Sequence, residues 1–110
     1  MRLMMAVAAV GVLALVPKAA SAQDAAKGEA VYGAQKCAMC HSVSAKGGKV
    51  SALDGVGKKL TAPEIKEWIV DPAAAEAKHK STKKPAMPKA YAKLPAADID
   101  GLVAYLQTLK

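Results

Sequence analysis

The chain has 110 residues, with 16 Lys and Arg against 9 Asp and Glu, a formal net charge of +7 at pH 7. Hydrophobic residues make up 53% of it but aromatic ones only 4%, with no Phe, so it is one small domain whose core is poor in large rings. The positive charge is nearly all Lys and the aromatics are few, which argues against nucleic-acid binding.

Residues 1–22 read as a secretory signal peptide. Arg2 gives a positive start, Leu3 to Val16 is an unbroken apolar run, Pro17 interrupts it, and Ala20-Ser21-Ala22 offers small residues for cleavage after Ala22. The run is shorter than the roughly 20 residues of a transmembrane helix, and no second apolar span follows. Export implies a periplasmic domain over residues 23–110 with no transmembrane segment. Loss of Arg2 and Lys18 then leaves a domain of a size that usually needs a disulfide, a metal or another staple.

From Asp24 to about Lys36, Ala25, Gly28 and Tyr32 fall on one side of an amphipathic helix, with Asp24 as its cap. Next comes Cys37-Ala38-Met39-Cys40-His41, the spacing of c-type haem attachment. Two residues between the thiols let both reach the two vinyl groups on one porphyrin edge, and the following His41 can offer an imidazole nitrogen to iron. A thioredoxin-like dithiol shares the Cys spacing but needs a βαβ setting, which is missing from the pattern. Zinc needs four ligands, and the mature chain offers only the two Cys, His41 and His79.

Ser42 to Lys59, rich in Gly, Ser and Lys, reads as a loop passing beneath the ring. Thr61-Ala62-Pro63-Glu64 is a capping box opening a helix that shares Ile65, Trp68 and Ile69 on one face and stops at Asp71-Pro72. Ala73 to Lys84 has no clear period and reads as a short helical turn followed by exposed loop. Met87 then stands in Lys83-Lys84-Pro85-Ala86-Met87-Pro88, where two prolines stiffen the chain around a thioether. Met39, the other Met of the mature chain, lies between the tethering cysteines and cannot cross the ring, so Met87 is the candidate second axial ligand. After Pro95, Ile99, Leu102, Val103, Leu106 and Leu109 follow at helical spacing. Nothing alternates at period two for a useful length, so the fold class expected is all-α.

In the order and spacing of these marks the chain resembles the bacterial monohaem class I cytochromes c, over essentially all of residues 23–110. The matching residues are Lys27-Gly28 with Tyr32 ahead of the Cys-x-x-Cys-His motif, Leu53-Asp54-Gly55-Val56-Gly57 after it, Trp68-Ile69 with Asp71-Pro72, Met87-Pro88, and Leu102-Val103-Ala104-Tyr105-Leu106. The resemblance implies three to five helices wrapped around one covalent haem c, with the first and last crossing closely at Gly28 and with Tyr32 and Tyr105 packed there. It also implies that the backbone carbonyl near Ser51 accepts a hydrogen bond from His41; the family often has Pro at that place, and this chain has Ser. Lys59 falls where the family often has Arg and would pair with a haem propionate. Trp68 would lie against the distal face near Met87.

A haem held by His41 and Met87 on opposite faces has no open coordination position, so the expectation is an electron carrier and not an enzyme. Lys78, Lys80, Lys83, Lys84, Lys89 and Lys93 bracket the Met87 loop and would steer a redox partner with an acidic docking surface. Two alternatives stay open: a cytochrome subunit of a periplasmic dehydrogenase complex, and a haem-based ligand sensor or peroxidase, which would need a labile or absent Met ligand.

Overall fold

The computed structural model describes Gly11 and residues 22–110, so the leader read over residues 1–22 lies outside the described residues apart from Gly11 and Ala22. Among the described residues five helices, α1 (Ala22–Ala34), α2 (Val56–Lys59), α3 (Ala62–Val70), α4 (Pro72–His79) and α5 (Ala96–Gln107), surround a core built mostly on α3 and α5. Ile65, Ile69, Ile99, Leu102, Val103 and Leu106 form its buried cluster.

The first and last helices cross with backbone against backbone. Gly28 is buried on α1, where any side chain would overlap the Gly101 carbonyl of α5, and beside this crossing the Tyr32 and Tyr105 rings pack at 5.5 Å between centroids. The helix begins earlier than Asp24, so this carboxylate sits in the first turn, where it favours the helix dipole, and not at the cap. Lys27 Nζ lies 3.5 Å from Asp98 Oδ1, joining the two helices at the surface. Gly57 docks α2 on the far end of α5: its N–H donates to the Leu109 carbonyl at 2.9 Å, and a Cβ there would strike Gln107.

α3 opens as its sequence dictates. The Thr61 hydroxyl accepts from the Glu64 N–H at 3.3 Å and the Glu64 carboxylate accepts from the Thr61 N–H at 2.9 Å, so both halves of the capping box form. Asp71 ends α3 and caps α4 in turn, its carboxylate accepting from the Ala74 N–H at 3.3 Å. The Ala-rich segment after Pro72 is therefore a two-turn helix. Its only buried residues are Pro72 and Ala75, which is why no apolar period announces it.

The glycine-rich segment departs most from the expected loop. It contains a three-stranded sheet of β1 (His41–Val43), β2 (Lys46–Gly47) and β3 (Ser51–Ala52), in the order β2-β1-β3. β1 pairs antiparallel with β2, Val43 opposite Lys46, and parallel with β3, His41 opposite Ser51. Ser44 and Ala45 form the hairpin turn with φ of 52° and 64°, and the Ser44 N–H is held by the Asp54 carboxylate at 2.8 Å. The fold is thus mostly helical, as a class I cytochrome c is, with a small sheet added between α1 and α2.

Candidate haem site

α1 stops at Ala34, and Lys36, in the left-handed region at φ 56°, redirects the chain into a 3₁₀ turn over Cys37–Met39. The Met39 N–H donates to the Lys36 carbonyl at 3.0 Å and the Cys40 N–H to the Cys37 carbonyl at 3.3 Å, which keeps both cysteines on one tight turn. Both are free thiols, half-buried. Burial pushes the Cys37 thiol above its ordinary pKa, against a smaller lowering from a backbone hydrogen bond. The Cys40 carbonyl accepts from the N–H groups of Val50 and Ser51 at 3.0 and 3.2 Å, so the sheet braces the turn from behind.

His41 follows as the first residue of β1, opposite Ser51. Its Nδ1 lies 3.1 Å from the Ser51 carbonyl oxygen. A carbonyl can only accept, so the ring hydrogen sits on Nδ1 and Nε2 carries the lone pair. Burial lowers the imidazole pKa, with the Ser51 bond opposing it more weakly. The ring is therefore held neutral and oriented, the state in which an imidazole ligates a metal.

Met87 lies far along the sequence from this turn. It is half-buried against the α3–α5 cluster, together with Tyr91 and Leu94. Tyr91 was not legible as a site residue. Its phenol is pushed above its ordinary pKa first by burial and then by the thiols of Cys37 and Cys40. Tyr32 feels Cys37 as well, after burial, and its buried hydroxyl has no hydrogen-bond partner among the described residues.

Trp68 is half-buried on α3, where its ring stacks on His79 at 5.7 Å between centroids and 27° between planes. His79 Nε2 in turn lies 3.8 Å from Glu64 Oε2. Lys59 is exposed at the C-terminal end of α2. The hydrogen bonds thus bring together Cys37, Cys40, His41 and Ser51, whereas Met87 and Tyr91 pack on the α3–α5 cluster and Lys59 and Trp68 lie on α2 and α3.

This donor set fits a tethered porphyrin. No group of three or more His, Cys, Asp or Glu side chains gathers among the described residues, so a metal at His41 must take its remaining ligands from something other than such a cluster. Two unpaired thiols on one turn and a neutral imidazole directly after them are groups that a covalent haem uses.

Residues 25–110 match the cytochrome c family, and the chain belongs to it. It is also similar to the Cbb3-type cytochrome c oxidase subunit CcoP of Azospirillum sp. (strain B510), 35% identical over 102 residues that make up 89% of this chain and 33% of the relative. The chain therefore spans about a third of that relative's length. No solved structure matches the chain. As a cytochrome c, the protein binds haem c covalently and transfers electrons.

Proposed function

We propose that the chain is an exported single-haem electron carrier, with Cys37 and Cys40 as thioether tethers and His41 and Met87 as the axial iron ligands. One observation supports this more than any other: the Ser51 carbonyl fixes the tautomer and orientation of His41, with the thiols on the preceding turn. Haem c supplies a one-electron Fe(III)/Fe(II) couple when bound, and a thioether ligand raises its potential above that of a bis-imidazole site.

The protein's own groups do the rest. Pro85 and Pro88 stiffen the loop around Met87, so little side-chain movement accompanies a change of iron charge. With haem bound, His41 and Met87 would together hold the iron and leave no place for oxygen or peroxide, which would make the chain a carrier and not a catalyst. Lys59 would pair with a propionate of the bound haem, and Trp68 would close the side of the pocket that Met87 occupies. Cleavage after Ala22 releases the domain into the periplasm. Lys80, Lys83, Lys84, Lys89 and Lys93 are exposed around the Met87 loop and steer an acidic redox partner, whereas Lys78 is already paired with Glu67 at 2.8 Å.

Similarity to an oxidase subunit favours a second reading, in which the domain works as a fixed subunit of a larger redox complex with the same haem chemistry. Purification of the native protein distinguishes the two, since a subunit comes away with its complex. The axial assignment is tested by reduced-minus-oxidised absorption of the haem-loaded protein. The expected result is a low-spin c-type spectrum unmoved by CO; rapid CO binding at neutral pH would exclude Met87 as a stable ligand and favour a sensor or peroxidase.

A further inference from the structure

Met39 is 73% exposed, whereas Met87, the other methionine of residues 22–110, is half-buried on the α3–α5 cluster. Two thioethers of the same intrinsic chemistry thus stand in opposite surroundings. The glycine pair beside the cysteine turn accounts for the exposure. The Gly48 N–H donates to the Ala38 carbonyl at 2.7 Å, and a Cβ at Gly48 would strike the Met39 carbonyl and reach Cys40 Cα at 2.8 Å. A Cβ at Gly47 would lie 3.1 Å from the Ala38 carbonyl. Backbone alone therefore packs against this turn, and the pair brings no side chain to cover the Met39 sulfur.

The charges around that sulfur have one sign. Lys36 opens the turn, its carbonyl accepting from the Met39 N–H at 3.0 Å, and Lys46 and Lys49 flank the glycine pair. All three are exposed, none joins an ion pair among the described residues, and no Asp or Glu occurs between Gln35 and Leu53. Such a field raises the local concentration of small anions.

Resting on the reading of Cys37 and Cys40 as haem tethers, and so not as free thiols, we propose that Met39 is an oxidative modification site that takes an oxygen atom from anionic peroxides ahead of Met87. The sulfur lone pair attacks the terminal oxygen of the peroxide and the O–O bond breaks. The sulfur loses two electrons and becomes a sulfoxide, and the remainder leaves as its oxyanion with the proton: a peroxymonosulfate ion leaves as hydrogen sulfate. The turn gains a polar group, while the Met87 thioether is kept. Sulfoxide reductases reverse the change.

The test treats the haem-loaded ferric protein with limiting peroxymonosulfate or, as a neutral donor of the same atom, hydrogen peroxide, and follows the masses of its proteolytic peptides. The haem-bearing peptide with Met39 is expected to gain one oxygen before the Met87 peptide does, and Met39→Leu to abolish that early gain. The triple change Lys36→Glu, Lys46→Glu and Lys49→Glu is expected to slow oxidation by peroxymonosulfate about fivefold at low salt and to leave the hydrogen peroxide rate unchanged. Oxygen on Met87 first, an early gain that persists in Met39→Leu, or a peroxymonosulfate rate unmoved by the triple change would overturn the proposal. The tether reading fails separately: a chain without haem that loses two hydrogens to a disulfide between Cys37 and Cys40 refutes it, whereas a haem-bearing chain whose Met87 is oxidised first refutes only the modification site.

Discussion

Gly28 on α1 and Gly101 on α5 meet so closely that the two positions are not equivalent. A methyl group at Gly28 would overlap the Gly101 carbonyl and press on Tyr105 Cβ at 2.7 Å, whereas one at Gly101 would find Gly28 N at 3.2 Å and the Asp24 carbonyl at 3.4 Å. Gly28→Ala is therefore expected to destabilise the haem-loaded protein by about 3 kcal/mol through overpacking. Gly101→Ala, where a gain of about 1 kcal/mol in helix propensity offsets a tight contact, should stay near wild type. Chemical denaturation of the two variants checks the asymmetry; equal losses would show that the helices can slide apart.

The capping box makes a pH-dependent prediction. Hydrogen bonds from the Thr61 backbone and then its side chain hold the Glu64 carboxyl below the usual carboxylate range, with smaller lowering from His79 and Lys78. A carboxyl whose folded pKa is depressed stabilises the fold above its unfolded pKa of about 4.3, and that contribution disappears as pH falls through the folded value. Thr61→Ala should cost about 1 kcal/mol at neutral pH. The gap between wild type and variant should narrow on acidification below the carboxylate range, as followed by thermal denaturation at a series of pH values.

These two features show what could be read in advance and what could not. The Thr61 box, the stop at Asp71-Pro72 and the buried stripe of α5 follow from side-chain chemistry or from period, and all three stand in the structure. The sheet was hidden because strands of two or three residues are too short to alternate, and its hairpin turns on Ser44-Ala45, a pair without the Asn-Gly or Asp-Gly signature of positive φ. The cysteines and His41 announced themselves by spacing. The packing of Tyr91 on the α3–α5 core, the stack of Trp68 on His79 and the bare Met39 depend on how distant segments meet, which no local pattern encodes.

Exchange of the two methionines separates burial from exposure. Met87→Ala is expected to lower the reduction potential and admit CO to the reduced protein, because a thioether packed on the core is lost. Met39→Ala should leave potential and ligation unchanged, its side chain standing in solvent. Redox titration with a CO-binding spectrum measures both; an unaltered spectrum in Met87→Ala would place the second ligand elsewhere.

Raising the pH should exchange Met87 for a lysine on ferric iron. Lys83 and Lys84 are exposed a few residues before it in the same loop, and each must first lose a proton, so the exchange belongs at alkaline pH. His79 is held between Trp68 and Glu64 and would have to leave both to compete as a ligand. The far-red band of Met-ligated ferric protein should fade on alkaline titration, and the double change Lys83→Ala with Lys84→Ala should raise its midpoint. A midpoint unmoved by that change would assign the incoming ligand to another residue.

The covalent tether is the point on which the rest depends, and a denaturing gel stained for haem measures it directly. Cys37→Ser or Cys40→Ser alone should weaken the stained band of protein matured with haem, and the double variant should abolish it while the polypeptide itself remains visible. A stained band of wild-type intensity in the double variant would contradict attachment through Cys37 and Cys40.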